Sequence, residues 1–391
     1  MTGPRGPWEE ERLARAALTR VAEPGDPLVG GWLARAGPGE VWAALREGGP
    51  APPGASPRRW AGLLLRAREA DPVRDLAAVA RLGGRFLCPG DREWPGQLAD
   101  LEAAAPVGLW VRGACSLRLV ALRSVAVVGA RACTEYGAHV AAELAGGLAA
   151  GGWAVVSGAA HGVDGAAHRG ALAADGCTVA VLACGVDVGY PAAHAELLRS
   201  VAARGLVVAE LPPGERPTRS RFVQRNRLIA ALTRGTVVVE AARRSGALIT
   251  ARAAERLGRH LMAVPGPVTS ALSEGTHLLL REGAVPVAGA EEVTELAGAM
   301  GELAAEPQAP AVPRDLLAPE TAQVLDALPA TRPAAVGEVA RGACTSPRAA
   351  AARLRELHAL GFVERAGPLW QLARPGPRPA GGAREEADPP K

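Results

Sequence analysis

From residue 124 onward, short apolar runs rich in β-branched residues alternate with segments rich in alanine and leucine. The apolar runs are residues 125–128, 154–156, 178–182, 206–209, 236–239, 261–264 and 285–287. Helical patterns lie between them, near residues 134–150, 163–174, 192–204, 222–232, 246–257 and 276–282. Strands that are apolar throughout and alternate with helices are typical of a doubly wound parallel sheet. This alternation predicts an α/β fold.

The loops that follow the predicted strands are rich in glycine and small residues. They are residues 129–131, 157–162, 184–189, 240–246 and 265–269. In a doubly wound sheet, ligands bind at the edge formed by the carboxyl ends of the strands. Free N–H groups at the starts of helices on that edge attract phosphate. We therefore expect the functional site at this edge.

The sequence before and after the predicted sheet lacks the alternation of strands and helices. Residues 1–75 are predicted to form a small helical domain of the SAM or helix–hairpin–helix type, and residues 76–300 hold the sheet. A segment rich in proline and alanine, 301–314, is predicted to be a linker. Three helices and a hairpin in 315–373 predict a winged helix, and the tail 374–391 is expected to be disordered.

Composition excludes several classes of chemistry. Lys391 is the sole lysine, so the chain has neither the lysine of a phosphate-binding P-loop nor one for a Schiff base. The six cysteines form no C-x-x-C pair, so we expect no metal site and a reducing cytoplasmic location. No signal peptide is expected at the N-terminus, and no run approaches the roughly 18 apolar residues of a membrane span.

Residues 216–259 carry eleven arginines and two glutamates, a net charge of +9 in a chain whose total is +4. Within this segment the string RSRFVQRNRL, residues 219–228, mixes cations, amides and Phe222. Arginines beside an aromatic ring favour a polyanion whose bases can stack. The alternative is a solvated basic face. Phe222 is equally compatible with a stacking platform and with a core residue at the start of a helix.

The loops after the first two strands of the sheet do not match the dinucleotide fingerprint. GARACTEYG, residues 129–137, is not G-x-G-x-x-G, and Ser157 stands where an acidic residue would end the second strand. Arg131 projects from the strand tip, and Thr134 is placed to cap the next helix. A plain capped turn with a surface arginine is the alternative. His161 and Asp164 suggest acid–base chemistry, but a structural role for Asp164 is favoured.

Taken together, these strings resemble the DprA/Smf family of DNA-processing proteins. The matching pieces are G-x-R-x-x-T-x-Y-G at 129–137, S-G-x-A-x-G-x-D at 157–164, QRNRLI at 224–229, VEA at 239–241, SGALITA at 245–251 and VPG at 264–266. They occur in the family's order over about residues 124–296. Residues 88–95 and 108–110 are also similar to the family.

The resemblance implies an extended Rossmann-like domain that binds single-stranded DNA, uses no dinucleotide cofactor, forms a homodimer and delivers the strand to the recombinase RecA. Arg131 and Arg219 would hold phosphates, and Phe222 would meet a base. The candidate nucleic-acid-binding residues are Gly129, Arg131, Thr134, Tyr136, Ser157, Gly158, Arg219, Phe222, Gln224, Arg225, Asn226, Arg227, Ser245 and Gly246. The family often has lysine near position 219, and it usually has arginine where this chain has His161.

Two other functions are open alternatives to a non-enzymatic DNA-binding protein. The same architecture resembles the LOG nucleoside-monophosphate phosphoribohydrolases, but their P-G-G-x-G-T-x-x-E motif is missing from the strand end at Glu240. A winged-helix transcription factor is the second alternative. Its predicted recognition helix, 346–360, carries few cations and four consecutive alanines. It therefore offers few side chains that could contact base edges in the major groove.

Overall fold

The computed structural model describes residues 6–299 and 313–373. The chain divides into two compact units, Met1–Ala305 and Glu306–Lys391. Most of the predicted linker 301–314 and the whole predicted tail 374–391 lie outside the described residues.

The first unit opens with four helices. They are α1 (Pro7–Val21), α2 (Pro27–Glu47), α3 (Pro57–Glu69) and α4 (Pro72–Arg81). Side chains of Asp26, Ser56 and Asp71 accept backbone N–H bonds at the starts of α2, α3 and α4. Helix α2 is kinked at Gly37, whose φ is 78°, just before Pro38. The predicted domain boundary after residue 75 falls inside α4, and a separate helical domain stays a prediction.

A nine-stranded sheet forms the centre of the first unit as described. Its strands are β1 (Gly84–Leu87), β2 (Leu109–Arg112), β3 (Ser124–Val128), β4 (Ala154–Ser157), β5 (Thr178–Leu182), β6 (Leu206–Ala209), β7 (Gly235–Val238), β8 (His260–Ala263) and β9 (Val285–Pro286). The order across the sheet is β1-β2-β6-β5-β4-β3-β7-β8-β9. Strands β3 to β9 are parallel, which confirms the predicted α/β class.

Strands β1 and β2 were not among the predicted strands. They pair with each other and with β6 in antiparallel fashion, so the sheet is mixed at this edge. Each is only four residues long and carries an arginine, Arg85 or Arg112, which weakens the apolar pattern. The two antiparallel strands lie at one edge of a sheet that is otherwise parallel, as predicted.

Helices cover both faces of the sheet. They are α5 (Leu117–Leu122), α6 (Glu135–Ala150), α7 (Val163–Ala173), α8 (Ala195–Arg204), α9 (Arg219–Leu232), α10 (Ala247–Arg256), α11 (Glu274–Arg281) and α12 (Ala290–Ala297), with 3₁₀ helices at Gly96–Ala104 and Ala192–His194. Helix α9 begins three residues earlier than predicted. Thr218 is its N-cap, and the Thr218 side chain accepts the N–H of Arg221 at 3.3 Å.

The central strand β3 shows why this part of the chain folds as it does. All five of its residues are buried, and successive side chains point to opposite faces of the sheet. Val125 and Val127 belong to the core that contains α6, while Ala126 and Val128 belong to the core that contains α9. Burying each large aliphatic side chain contributes about 1.5–3 kcal/mol, so two apolar layers hold β3 at the middle of the sheet.

The second unit contains, after a 3₁₀ helix at Pro313–Leu316, three helices and a two-stranded hairpin. These are α13 (Pro319–Asp326), α14 (Val336–Gly342), α15 (Pro347–Ala359), β10 (Val363–Ala366) and β11 (Leu369–Leu372). The Ser346 hydroxyl caps α15, as predicted, by accepting the N–H of Ala349 at 3.2 Å. Leu354 and Trp370 are buried at the centre of this unit. The order of elements is that of the predicted winged helix, and assignment to that fold stays a prediction.

Candidate nucleic-acid interface

The path of the chain through the sheet creates a crevice beside β3. From β3 the chain proceeds outward through β4, β5 and β6, and it then returns to place β7 on the other side of β3. The loops after β3 and β7 consequently leave the sheet in opposite directions. Such a topological switch point is where doubly wound sheets bind ligands.

A cavity of about 840 Å³ occupies this crevice. We call it the switch-point cavity; it is bounded by the loops after β3 and β7, by α9 and by the start of α10. The predicted site residues that line it are Gly129, Arg131, Arg219, Phe222, Arg225, Asn226, Ser245 and Gly246. The fold thus brings together residues more than 100 positions apart in the sequence.

Arg131 and Phe222 are in direct contact at the rim of the cavity. The guanidinium carbon of Arg131 lies 4.6 Å from the centroid of the Phe222 ring. Arg131 is exposed, and Phe222 is half-buried. An arginine over an aromatic face is held by a cation–π attraction while its N–H groups remain available to a ligand. The two residues therefore act as one unit.

The first turn of α9 and the loop after β7 supply the other cations of the rim. Arg219 is the first residue of α9, and it is exposed. Arg244 is exposed on the loop after β7 and also lines the cavity, although it was not among the predicted site residues. Asn226 donates to the Gly246 carbonyl at 3.3 Å, which ties α9 to the start of α10. The rim is therefore electropositive.

The floor of the cavity is formed by a buried cation and a buried acid. Arg225 is 5% exposed and Asp164 is 6% exposed. Burial lowers the pKa of Arg225 and raises the pKa of Asp164, and the attraction between the two groups opposes both shifts. Nη1 of Arg225 donates to the Val181 carbonyl at 3.0 Å, whereas its Nε has no partner.

Two predicted glycines serve packing. Gly158 is buried, and a β-carbon there would collide with the Arg225 guanidinium. A β-carbon at Gly129 would lie 2.9 Å from the Glu240 carbonyl and 2.6 Å from a methyl group of Val163. Glycine at these two positions therefore lets the loops after β3 and β7 approach each other and gives Arg225 its place in the floor.

Three other predicted residues make side-chain hydrogen bonds or ion pairs within the protein. Ser157 is fully buried, and its hydroxyl donates to the Val127 carbonyl at 2.7 Å. Thr134 caps α6, as predicted, and its hydroxyl donates to the buried carboxylate of Glu240 at 2.6 Å. Arg227 forms a bidentate ion pair with Glu210, with both N–O distances at 2.7 Å, and both side chains are buried. The polar groups of all three are thus already paired within the protein, and a DNA contact at any of them stays a prediction.

Tyr136 and Gln224 are exposed, but neither lines the cavity. The Tyr136 hydroxyl donates to the Pro265 carbonyl at 3.0 Å. Tyr190, by contrast, lines the cavity and was missed. Aromatic residues make up only 3% of the chain, which makes each of them a candidate for a functional role. Tyr190, however, lies outside the basic segment 216–259, so no neighbouring cations marked it as a binding residue.

The basic segment 216–259 is less available to a ligand than its net charge of +9 suggests. Arg221 pairs with Glu23 at 3.0 Å and Glu215 at 2.7 Å, and Arg259 pairs with Asp100 at 2.6 Å. Arg225 and Arg227 are buried. The carboxylates that pair with Arg221, Arg227 and Arg259 lie outside the segment, so its net charge does not count them. Only part of the segment therefore reaches the cavity, and the alternative of a solvated basic face does not describe the arginines that are paired or buried.

His161 lies next to the switch-point cavity without lining it. It is exposed, and its ring centroid lies 4.8 Å from that of His194. It borders a smaller neighbouring cavity, about 40 Å³, that also touches Arg131, Tyr190 and Phe222. Within the described parts of the chain, no cluster of three or more His, Cys, Asp or Glu side chains is arranged to hold a metal ion.

Residues 85–298 match the family model described as DNA recombination-mediator protein A. The chain belongs to this family. It is 44% identical over 374 residues to a DNA processing protein DprA of Mycobacterium tuberculosis, with 93% of this chain and 95% of the relative covered. It is 42% identical over 200 residues to the DNA processing protein DprA of Streptococcus pneumoniae, with 51% of this chain and 70% of the relative covered.

The family's fold is also seen in a solved structure. The X-ray structure of DprA from Streptococcus pneumoniae superposes on this chain with a TM-score of 0.60 at 31% identity, and covers 73% of this chain and 96% of that one. The match confirms the extended Rossmann-like fold that the sequence predicted. None of the helices in residues 6–299 and 313–373 has the length and apolar character that crossing a bilayer requires.

Proposed function

We propose that this chain binds single-stranded DNA in the switch-point cavity and passes the strand to the recombinase RecA. The observation that carries the proposal is the stacked pair of Arg131 and Phe222 at the rim of a cavity of about 840 Å³. A cation held on an aromatic ring offers a phosphate contact and an apolar surface at one place. Those are the two features by which proteins bind single strands independently of sequence.

The charges of the rim suit a phosphate backbone. Arg131, Arg219 and Arg244 are exposed around the cavity. Among the described residues that line the cavity, Asp164 is the one with a carboxylate, and it is buried on the floor. A DNA backbone that lies along the rim would therefore contact arginines, while the carboxylate stays out of its reach on the floor. Each phosphate contact to arginine releases counterions, which makes the affinity fall with salt.

The cavity favours an unpaired strand over a duplex. Base faces are already stacked on their neighbours in a duplex, so a base can reach an aromatic side chain in the cavity only after it leaves the helix. Breaking that stacking costs a few kcal/mol, whereas a single strand presents its bases at little cost. The chain should therefore bind single strands more tightly.

The transfer to RecA, a homodimeric state and the absence of catalysis are parts of the same proposal. The family's description as a recombination mediator supports the transfer to a recombinase. The homodimer and the absence of catalysis are what the resemblance to the DprA/Smf family implies. The LOG-like alternative is disfavoured by Glu240, the acid at the end of β7. Glu240 is 3% exposed and accepts hydrogen bonds from the backbone and hydroxyl of Thr134, so it is not presented to the cavity.

The binding proposal is tested by fluorescence anisotropy with a labelled 30-mer of thymidines and a 30-base-pair duplex at the same salt concentration. We expect the single strand to bind more tightly; equal affinities would contradict the proposal. The rate of ATP hydrolysis by RecA on a single strand covered with a single-strand-binding protein should rise when this chain is added. Light scattering measures the expected dimer.

A further inference from the structure

Tyr190 is an exposed aromatic residue that sequence reasoning did not assign. It lies on the loop that follows β5, and 43% of its surface is exposed. It borders both the switch-point cavity and the smaller cavity beside it. Its ring centroid lies 5.6 Å from that of Phe222, and the two ring planes are inclined by 49°. Tyr190 therefore extends the aromatic surface of the rim.

Phe222 is less free to receive a base than its position suggests. The Arg131 guanidinium covers it at 4.6 Å, the Tyr190 ring lies against it, and the side chain is half-buried. A base that stacked on the face beneath Arg131 would have to displace the cation, and the cation–π attraction would be lost. The exposed surface of Tyr190 carries no such cover in the described residues.

We propose that Tyr190 is the platform on which an unpaired base of the bound strand stacks, and that Phe222 chiefly positions Arg131 for a phosphate. This inference rests on the proposed function and names the residue that contacts the base. A phenol ring presents a flat face to any nucleobase, so the contact would be independent of sequence. The rim then has separate parts: Tyr190 for a base, and Arg131, carried by Phe222, for the backbone.

The test compares two strands of equal charge. One is a 30-mer of thymidines, and the other is a 30-mer of abasic tetrahydrofuran units. The ratio of their affinities isolates the base contribution, because both strands make the same phosphate contacts. In Tyr190→Ala we expect this ratio to fall about five- to a hundredfold, the range that corresponds to one stacked base. Affinity for the abasic strand should stay unchanged, and Tyr190→Phe should keep the ratio of the unaltered chain.

Trp8→Ala provides a matched control. Trp8 is an exposed aromatic residue of α1 with nearly the same exposure, 44%, but it does not line the cavity and is not among the candidate binding residues. Its variant should keep the ratio of affinities. Thermal melting of both alanine variants shows whether they fold; if Tyr190→Ala fails to fold, photocrosslinking of the unaltered protein to a strand with one 5-iodouracil decides, and we expect the crosslinked residue to be Tyr190.

The outcomes separate this inference from the proposed function. If the unaltered chain binds neither strand, the proposed function is wrong and this inference falls with it. If it binds thymidines better than abasic units and Tyr190→Ala keeps that ratio, the inference alone is wrong. A crosslink confined to Phe222 would also overturn it, since the base would then stack beneath Arg131.

Discussion

Arg131 and Phe222, which are 91 residues apart in the chain, form a cation–π pair at the switch point of the sheet, with 4.6 Å between the guanidinium carbon and the ring centroid. Arg131 comes from the tip of the central strand β3, and Phe222 comes from the first turn of α9. The contact aligns a cation from the sheet with an aromatic ring from a helix. It therefore couples the position of the Arg131 guanidinium to that of α9.

The first prediction concerns this coupling. Phe222→Ala should weaken binding of a single strand chiefly by freeing Arg131, so its effect should largely disappear in an Arg131→Ala background. We expect a coupling free energy of about 0.5–2 kcal/mol in a double-mutant cycle measured by anisotropy. Because Phe222 is half-buried, the loss of folding stability should be smaller than the roughly 3–5 kcal/mol of a fully buried phenylalanine. Additive effects of the two changes would rule out the coupling.

The second prediction concerns the salt dependence of binding. Arg131→Ala and Arg219→Ala should each remove one phosphate contact, which lowers the slope of log Kd against log salt by about 0.7. Titrations between low and physiological salt measure the slope. Arg199→Ala, an exposed arginine of α8 away from the cavity lining, is the matched control for loss of one charge, and its slope should equal that of the unaltered chain. Equal slopes in all four proteins would place the interface elsewhere.

The third prediction separates structural from binding arginines. Arg227→Met should lower the free energy of unfolding by about 3–5 kcal/mol, because it leaves the buried Glu210 carboxylate without its cation. Adding Glu210→Leu should recover most of this loss, since no buried charge then remains unpaired. Urea unfolding measures both values. A single variant as stable as the parent would show that the pair is not a structural requirement.

The fourth prediction concerns acid stability. The His168 ring is fully buried, and its Nδ1 lies 2.7 Å from the Thr178 hydroxyl. Because that hydroxyl donates to the Val155 carbonyl, Nδ1 must be the donor to Thr178. The other ring nitrogen, Nε2, is buried and has no hydrogen-bond partner among the described residues. Burial lowers the pKa of His168 from 6.5 to about 3. Between these values the unfolded chain binds a proton that the folded chain does not, so the free energy of unfolding falls as the pH falls, by up to about 1.4 kcal/mol per pH unit.

The measurement is urea unfolding of the parent and of His168→Gln between pH 4 and pH 7. The variant cannot take up this proton, so its free energy of unfolding should fall less steeply toward acid pH. His139→Gln makes the same substitution at an exposed histidine of α6 and should keep the parent's slope. Parallel curves for the parent and His168→Gln would contradict the prediction.

The fifth prediction concerns the two units. The cavity and its lining residues lie within the first unit, so a chain shortened to Met1–Ala305 should remain folded and bind single strands, and it should remain dimeric. The second unit alone should bind weakly, because Arg332 and Arg353 are already paired with Glu338 and Glu320. Binding retained only by the second unit would instead favour the transcription-factor alternative.

The fold class followed from the sequence because its signals are local. Apolar runs such as 178–182 and 206–209 match β5 and β6 residue for residue. Caps such as Thr134 and Ser346 act on the next few residues of the chain, so their helices begin close to where predicted. The edge strands β1 and β2 were missed because four-residue strands containing arginine carry no clear period.

The sequence by itself determined the α/β class and the cluster of candidate residues at the strand ends. Only the tertiary structure decided which of those residues line the cavity. Arg219 and Arg227 stand in one short string, yet the first is exposed and the second is buried against Glu210. The reason is that pairing and burial depend on acids and backbone from distant segments, brought together only when the sheet forms, so no local pattern distinguishes a binding arginine from a structural one.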